Sequence, residues 1–340
     1  MKGLVETLKR DLLPFLVFGV AAVSLALLPL VSHATVTYLN VYDVLQTFAD
    51  YGLLALAVGL SMIVGEYDLS TASMYGLAGM VAVLAGGGTP AYGILAALAL
   101  GLGAGLIQGS IITRLRLAAV PVTLGGFIVY LGITYVIGHN NDVSYNRITV
   151  GLRLDQPIAW IFSIRSLITV AGFLLAAVVF HLTRMGPDIR ATGGDRRASR
   201  ISGVRVDRIL VGIFAASGLG AAAAGSLHAY SLSSAEPDLG FGPLIFATIA
   251  ALIGGVKLAG GQGSPLGIAA GVLSLAILQE ILAAVAAPQY TGDLVTGVLL
   301  LFVTIFAAPV VSDRWARRSA ADPLGGSAAS SPQGIAPADL

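Results

Sequence analysis

Ten apolar stretches occupy most of this 340-residue chain. A helix needs about 20 apolar residues to cross the hydrocarbon core of a bilayer, and most of the stretches approach that length. They cover residues 12–31, 51–65, 72–88, 91–113, 121–138, 165–183, 209–229, 243–257, 264–286 and 292–311. Only 11% of all residues are charged, against about 25% in soluble domains. The sequence therefore predicts an all-α, polytopic integral membrane protein with about ten transmembrane helices.

The first apolar stretch has two interpretations, because Lys2, Lys9 and Arg10 precede it as they would precede the core of a signal peptide. A signal peptide has an apolar core of about 7–15 residues. The apolar run here covers residues 12–31 and is long enough to span a bilayer. We interpret it as a retained first helix, with a cleaved signal as the alternative.

Basic residues are distributed unevenly among the loops. If the N-terminus is cytoplasmic and the sides alternate, sixteen basic residues fall inside and three, Arg147, Arg153 and Arg165, fall outside. Cytoplasmic loops of membrane proteins carry such an excess of Lys and Arg. The distribution predicts a multi-pass protein with both termini in the cytoplasm. The net charge of +1 gives no basic field for a nucleic-acid partner.

Two segments, near residues 65–72 and 254–264, break the apolar pattern without forming a full loop. Residues 65–70 (GEYDLS) can be aligned with residues 254–259 (GGVKLA). Paired, glycine-interrupted spans in two halves of a chain are a pointer to a transport site. Irregular backbone at membrane depth persists only where protein or a water-filled cavity satisfies it. We predict two broken helices, related as a parallel repeat, whose turns face the same side.

A basic loop follows the sixth apolar stretch. Residues 183–208, TRMGPDIRATGGDRRASRISGVRVDR, contain seven arginines and three aspartates. Asp195 is expected to cap a short helix, Gly203 to end it, and Gly193 with Gly194 to allow a sharp turn before it. The arginines fit either a docking surface for an acidic partner or simple positive-inside sorting beside anionic lipid.

This loop resembles the cytoplasmic coupling loop of bacterial sugar permeases of the ribose/xylose/galactose ABC-importer class, T-R-x-G-R-x-I-x-A-x-G-G-N-x-x-A-A-R-x-S-G-I. The matching residues are Thr183, Arg184, Gly186, Ile189, Ala191, Gly193, Gly194, Ala198, Ser202 and Gly203. Three more segments resemble the same family in the same order. They are Gly65, Asp68, Leu69, Ser70 and Ser73 for G-G-I-D-L-S-V-G-S, residues 232–237 for L-S-S-A-Q-P, and residues 258–263 for L-x-G-G-x-G.

The resemblance implies the permease subunit of an importer in the bacterial inner membrane, moving a monosaccharide or related polyol by alternating access. Its implied partners are an ABC ATPase, a periplasmic sugar-binding protein and a second permease copy in a homodimer. ATP and Mg would belong to the ATPase, with no cofactor on this chain. The residues agree, because a phosphate loop needs G-x-x-x-x-G-K-[ST] and Lys257 is followed by Leu258. We therefore predict a transporter subunit and not an enzyme.

Two sets of site residues follow from the loop and the breaks. The ATPase-coupling set is Gly186, Arg190, Gly193, Gly194, Asp195, Arg196, Arg197, Ala198, Ser202 and Gly203. The translocation set is Glu66, Asp68, Ser70, Ser73, Tyr75, Lys257, Gln262 and Glu280. Ionisable residues inside a membrane are functional candidates and need partners. We predict an Asp68–Lys257 ion pair between the two turns; the alternative is that Lys257 and Glu66 reach water.

Three other functions stay open at this point. A branched-chain amino-acid or other small-solute ABC permease has a similar loop, whereas an ATP-independent secondary carrier would need no ATPase. A membrane enzyme is the third, but the histidines lack metal-site spacing: His33, His139, His181 and His228.

We assign residues 1–311 to one permease domain with its coupling loop at 184–208. The tail, residues 312–340, is rich in Ala, Ser, Pro and Gly and is predicted to be disordered and cytoplasmic.

Overall fold

Helices account for nearly all of the regular structure in the computed structural model, which describes residues 2–31, 36–158 and 160–307. The helices are α1 (Lys2–Val31), α2 (Tyr38–Ile63), α3 (Ser70–Gly86), α4 (Pro90–Leu115), α5 (Ala119–Ile137), α6 (Ile148–Asp155), α7 (Ile164–Leu182), α8 (Met185–Gly194), α9 (Arg196–Ile201), α10 (Val206–Leu232), α11 (Gly242–Ile253), α12 (Pro265–Ala284) and α13 (Gln289–Ala307). Two short strands, β1 (Val143–Ser144) and β2 (Ser234–Ala235), pair antiparallel.

Each predicted apolar stretch overlaps one of these helices, so the all-α polytopic class is confirmed. Within the described ranges, seven helices are long and apolar enough to cross a membrane: the apolar part of α1 (Leu12–Leu30), α2, α4, α5, α7, α10 and α12. Three shorter apolar helices, Ser70–Gly86, Gly242–Ile253 and Tyr290–Ile305, complete the ten stretches. The predicted tail, residues 312–340, and the end of the last stretch lie outside the described residues.

Helix α10 lies at the centre of the bundle and packs against α2, α3 and α4. It approaches α4 closely, since a Cβ added at Gly101 would lie 2.4 Å from the Gly218 carbonyl oxygen. A Cβ added at Gly218 would lie 2.1 Å from the Gly101 carbonyl oxygen. The small residues of GLGAGLIQG (residues 101–109) and GLGAAAAG (residues 218–225) therefore let the two helices meet backbone to backbone.

The connecting segments separate into two groups at opposite ends of the bundle. At one end the two turns, residues 64–69 and 254–264, contact the basic loop. At the other end β1 pairs with β2. The side chain of Arg147 donates to the carbonyl of Gly88 at that end, at 2.6 Å. The prediction that both turns face one side is confirmed by these contacts.

Candidate functional site

Three backbone segments meet at one end of the bundle, and we call them the turn layer: residues 64–69, 184–205 and 254–264. The contact depends on glycine, because a Cβ added at Gly193 would lie 1.9 Å from the Ile63 carbonyl oxygen and 2.6 Å from Gly261 N. Gly261 N–H also donates to the Ile63 carbonyl at 2.8 Å. A Cβ added at Gly260 would lie 2.7 Å from Gly65 Cα. The loop is therefore joined directly to both turns.

The two turns begin with the same backbone geometry. After α2, Gly65 has φ +77° and its N–H donates to Met62 O, while Glu66 N–H donates to Ser61 O. After α11, Gly255 has φ +82°, with equivalent bonds from Gly255 N to Leu252 O and from Val256 N to Ala251 O.

Both endings are Schellman caps, in which a left-handed glycine satisfies the last helical carbonyls. Gly65 thus corresponds to Gly255. The predicted alignment, which placed Gly65 on Gly254, is shifted by one residue.

The short helix α9 forms where Asp195 precedes it. The Asp195 carboxylate accepts from the backbone N–H groups of Arg197 (2.8 Å) and Ala198 (3.0 Å), so the predicted cap is confirmed. Gly203, with φ +86°, ends the helix as predicted. Gly193 and Gly194 make no sharp turn, since both lie within α8. That prediction is wrong: the absence of a side chain at Gly193 serves close approach to the Ile63 carbonyl.

One face of the loop points inward onto the first turn. Arg196 forms an ion pair with Glu66 at 2.5 Å and donates to the carbonyl of Val64 at 3.3 Å. The Glu66 side chain is 11% exposed and that of Arg196 is 39% exposed. Glu66 stands where the resembling family usually has glycine, and its contact with Arg196 fixes the start of α9 to the end of α2.

A second inward contact reaches the other turn. Arg190 Nε donates to the Gly263 carbonyl at 3.1 Å, and its guanidinium carbon lies 5.0 Å from the centre of the Phe180 ring. Gly186, in the first turn of α8, is buried against the end of α7, where a Cβ at this position would lie 1.8 Å from the Phe180 carbonyl oxygen. The loop thus contacts each turn through one arginine.

The opposite face of the loop is open. Arg197, Ala198 and Ser202 are exposed, and Ile201 is 82% exposed, a high value for a large apolar side chain. This face presents a cation, a small residue and a large apolar side chain on α9, and the contacts of Arg196 hold α9 in place. It has the composition of a protein-binding surface, because such surfaces combine arginine with apolar anchors.

A polar cluster lies buried behind the first turn. Asp68 is 2% exposed, and its carboxylate accepts from the hydroxyls of Ser70 at 2.6 Å and Ser217 at 2.7 Å. Ser70 Oγ also lies 2.9 Å from Gln108 Oε1. The predicted Asp68–Lys257 pair is wrong, since the Asp68 carboxylate is buried among these hydroxyl groups and Lys257 is exposed. Hydroxyl groups, and not a cation, compensate the burial of Asp68.

The remaining predicted pathway residues lie apart from one another. The Ser73 hydroxyl donates to the Ser70 carbonyl, and Tyr75 is fully buried. Gln262 lies in the second turn with its backbone carbonyl toward Lys257 N. Glu280 Oε1 accepts from Asn40 Nδ2 at 2.7 Å, near the start of α2. The assignment of all eight residues to a pathway stays a prediction.

Sequence reasoning missed a charged network at the opposite end of the bundle. Arg165 is 4% exposed and forms ion pairs with Asp50 of α2 and Asp155 of α6. His228 Nδ1 lies 3.0 Å from Asp50 Oδ1, and the Ser231 hydroxyl donates to Asp155 at 2.6 Å. These contacts join α2, α6, α7 and α10. The one signal in the sequence was an arginine at the start of an apolar helix.

The chain is similar to known transport proteins. The chain matches the family described as branched-chain amino acid transport system / permease component over residues 40–304. It is 30% identical to the ribose import permease of Escherichia coli K12 over 295 residues, which cover 83% of this chain and 90% of that protein. It is 26% identical to the ribose import permease of Bacillus subtilis 168, over 78% of this chain and 84% of the relative.

A second group of relatives carries a different name. The chain is 32% identical to the autoinducer 2 import system permease of Yersinia pseudotuberculosis (strain IP 31758), over 75% of this chain and 73% of the relative. No solved structure matches the chain.

Proposed function

Because this chain belongs to the family of branched-chain amino acid transport system / permease components, we propose that it is the transmembrane subunit of an ATP-driven importer for a monosaccharide or related polyol. It is a transporter subunit and not an enzyme. ATP hydrolysis is assigned to a separate ATPase chain that holds ATP and Mg. Transport would proceed by alternating access across the bacterial inner membrane.

One observation supports the proposal most strongly. The loop that resembles a coupling loop is bonded to both broken-helix turns through Gly193, Arg190 and Arg196, while Arg197 and Ile201 face outward. A partner that moved the outward face would move both turns together, because the connection is backbone to backbone. Such a rigid link is what transmission of an ATPase closure to the spans requires.

The solute assignment rests on the relatives. The ribose import permeases support a monosaccharide, and they are matched over most of their length. Autoinducer 2 is a second candidate, because the permeases named for it are as similar to this chain as the ribose permeases are. The family description adds branched-chain amino acids as a third solute class.

The remaining partners and the orientation belong to the same proposal. The turn layer would face the cytoplasm with both termini, since most of the basic residues lie on its side. A periplasmic sugar-binding protein would deliver solute to the opposite end, which carries β1 and β2. A second permease copy would complete the pathway as a homodimer.

Co-purification tests the docking role of the open face. The permease is co-expressed with the tagged ATPase of its own gene cluster, and the amount of permease recovered is measured. We expect Arg197→Glu with Ile201→Glu to lower recovery at least tenfold, because both side chains are exposed on the docking face. Leu152→Glu with Arg153→Glu is the matched control, since this exposed apolar and basic pair lies on α6, away from the loop, and its replacement should retain binding. Unchanged recovery of the loop variant would contradict the proposal.

A further inference from the structure

An apolar groove runs along the bundle between α7 and α10, with α2 as its floor. Its volume is about 320 Å³, and apolar side chains form almost all of its lining. Its two walls carry small residues at helical spacing: Gly212, Ala216 and Gly220 on α10, and Gly172 and Ala176 on α7. These small residues keep the groove open, because larger side chains at the same positions would fill it.

The length of the groove matches one leaflet of a bilayer. It extends along α10 from Arg208 to Gly220, a rise of roughly 18 Å at 1.5 Å per residue. Half of a hydrocarbon core about 30 Å thick is about 15 Å. Leu175 on the rim is 67% exposed, as a side chain that faces lipid would be. The groove thus has the dimensions and the surroundings of a site for one acyl chain.

A basic pocket shares the lining residue Arg208 with the groove. Arg208 lines the end of the groove and also lines this second pocket of about 440 Å³ at the start of α10, together with Arg200 and Arg205. Arg200 pairs with Asp207 at 2.8 Å, whereas the ion pairs among the described residues include neither Arg205 nor Arg208. The N-terminus of α10 adds partial positive charge beside them.

We propose that the groove and the pocket together bind one anionic phospholipid of the leaflet on the turn-layer side. An acyl chain would lie in the groove between α7 and α10, and the phosphate would lie on Arg205 and Arg208. A free phosphate would use only the pocket, and a neutral lipid only the groove. Basic pockets between transmembrane helices are known to hold anionic headgroups. Nothing in this inference depends on which solute is transported.

The bound lipid would also contact the turn layer. Met185 and Ile189 of α8 line the arginine end of the groove. The other end of α8 carries Gly193, which touches the Ile63 carbonyl. An acyl chain in the groove would therefore pack against the outer side of the helix that joins the loop to the first turn.

Native mass spectrometry with added lipid tests the site. The purified permease is titrated with phosphatidylglycerol and with phosphatidylcholine of the same acyl chains, and the bound fraction of each is measured. We expect the wild type to prefer phosphatidylglycerol. Arg208→Gln should lower that preference about fivefold, the size expected for one arginine at an anionic membrane surface. Arg153→Gln is the control, because Arg153 is exposed on α6, outside the groove and the pocket.

A second variant separates the contribution of the acyl-chain groove from that of the basic pocket. Gly212→Leu should lower binding of both lipids, because it places a side chain in the groove, and a Cβ at Gly212 meets no atom within 4 Å. Gly132→Leu is its control, since Gly132 on α5 is equally open. Inorganic phosphate should compete weakly with phosphatidylglycerol. Full competition by phosphate would restrict the site to the pocket and overturn the lipid assignment, as would equal binding of the two lipids by the wild type.

A second copy of the chain is the competing occupant of the groove. The sequence has no cysteine, so a single Leu175→Cys substitution on the rim can be tested for disulfide formation between copies. We expect no cross-linked dimer when the membranes are treated with a membrane-permeant oxidant that takes the two electrons of disulfide formation. An efficient disulfide cross-link between two copies of this variant in native membranes would show that another protomer covers the groove and would overturn the proposal.

Discussion

Gly193→Ala should abolish most ATP-driven transport while leaving the protein in the membrane. The added Cβ would lie 1.9 Å from the Ile63 carbonyl oxygen and 2.6 Å from Gly261 N, both of them backbone atoms that cannot rotate away. It would also separate the Gly261 N–H from the Ile63 carbonyl that it bonds. Overpacking of this kind costs about 1–3 kcal/mol, so we expect uptake in proteoliposomes to fall at least tenfold.

Gly194→Ala is a closely matched control for this substitution. The neighbouring glycine lies in the same helix, yet a Cβ there meets no atom within 4 Å. We expect it to retain transport, because alanine also favours a helix over glycine by about 1 kcal/mol. Equal activity of the two variants would show that the contact between loop and turn has no part in transport.

Arg165→Met should cause the largest loss of stability. The guanidinium is 4% exposed and bridges Asp50 and Asp155, so its removal leaves two carboxylates without their cation. Removing one partner of a buried ion pair costs about 3–5 kcal/mol. We expect about 3 kcal/mol here, because the two aspartate side chains are 22% and 29% exposed and water screens part of the effect. The loss of stability is measured as the shift of the thermal unfolding midpoint in detergent, and the disappearance of the monodisperse elution peak reports the unfolding.

Two further variants define what that network does. Arg153→Met removes an exposed arginine from α6 and should leave the unfolding midpoint unchanged. Arg165→Met combined with Asp50→Asn should recover part of the loss, since fewer unpaired charges then remain. If Arg165→Met unfolded at the wild-type temperature, the network would have no structural importance.

The helices were predictable because the bilayer imposes length and apolarity on each of them. The distribution of basic residues predicted that both turns lie on the same side as the basic loop. The contacts of Arg190 and Arg196 with the turns agree with that prediction. Local signals in short segments also succeeded, as with the Asp195 cap and the αL glycine at Gly203.

Long-range contacts were not predictable from composition. Arg165 and Asp50 are 115 residues apart in the chain, so no local pattern joins them. The Asp68–Lys257 prediction relied on charge alone and missed the hydroxyls of Ser70 and Ser217 that surround the carboxylate.

The role of Gly193 shows the same limit. Glycine allows both a sharp turn and close approach, and the choice between them depends on which atoms lie opposite. For Gly193 those atoms belong to Ile63 and Gly261, which only the tertiary structure brings near. The alignment of the two turns was shifted by one residue for a related reason, since the second turn offers two adjacent glycines and only Gly255, not Gly254, takes the left-handed position.

Solute uptake into proteoliposomes that contain the permease, its ATPase and its binding protein tests whether the chain is the permease of an ATP-driven sugar importer. Ribose, other monosaccharides, autoinducer 2 and leucine are compared with and without internal or external ATP. We expect uptake of a monosaccharide that requires both ATP and the binding protein, and that Gly193→Ala abolishes while Gly194→Ala does not. Solute flux that continued without ATP or ATPase would contradict it and would indicate a secondary carrier or a channel.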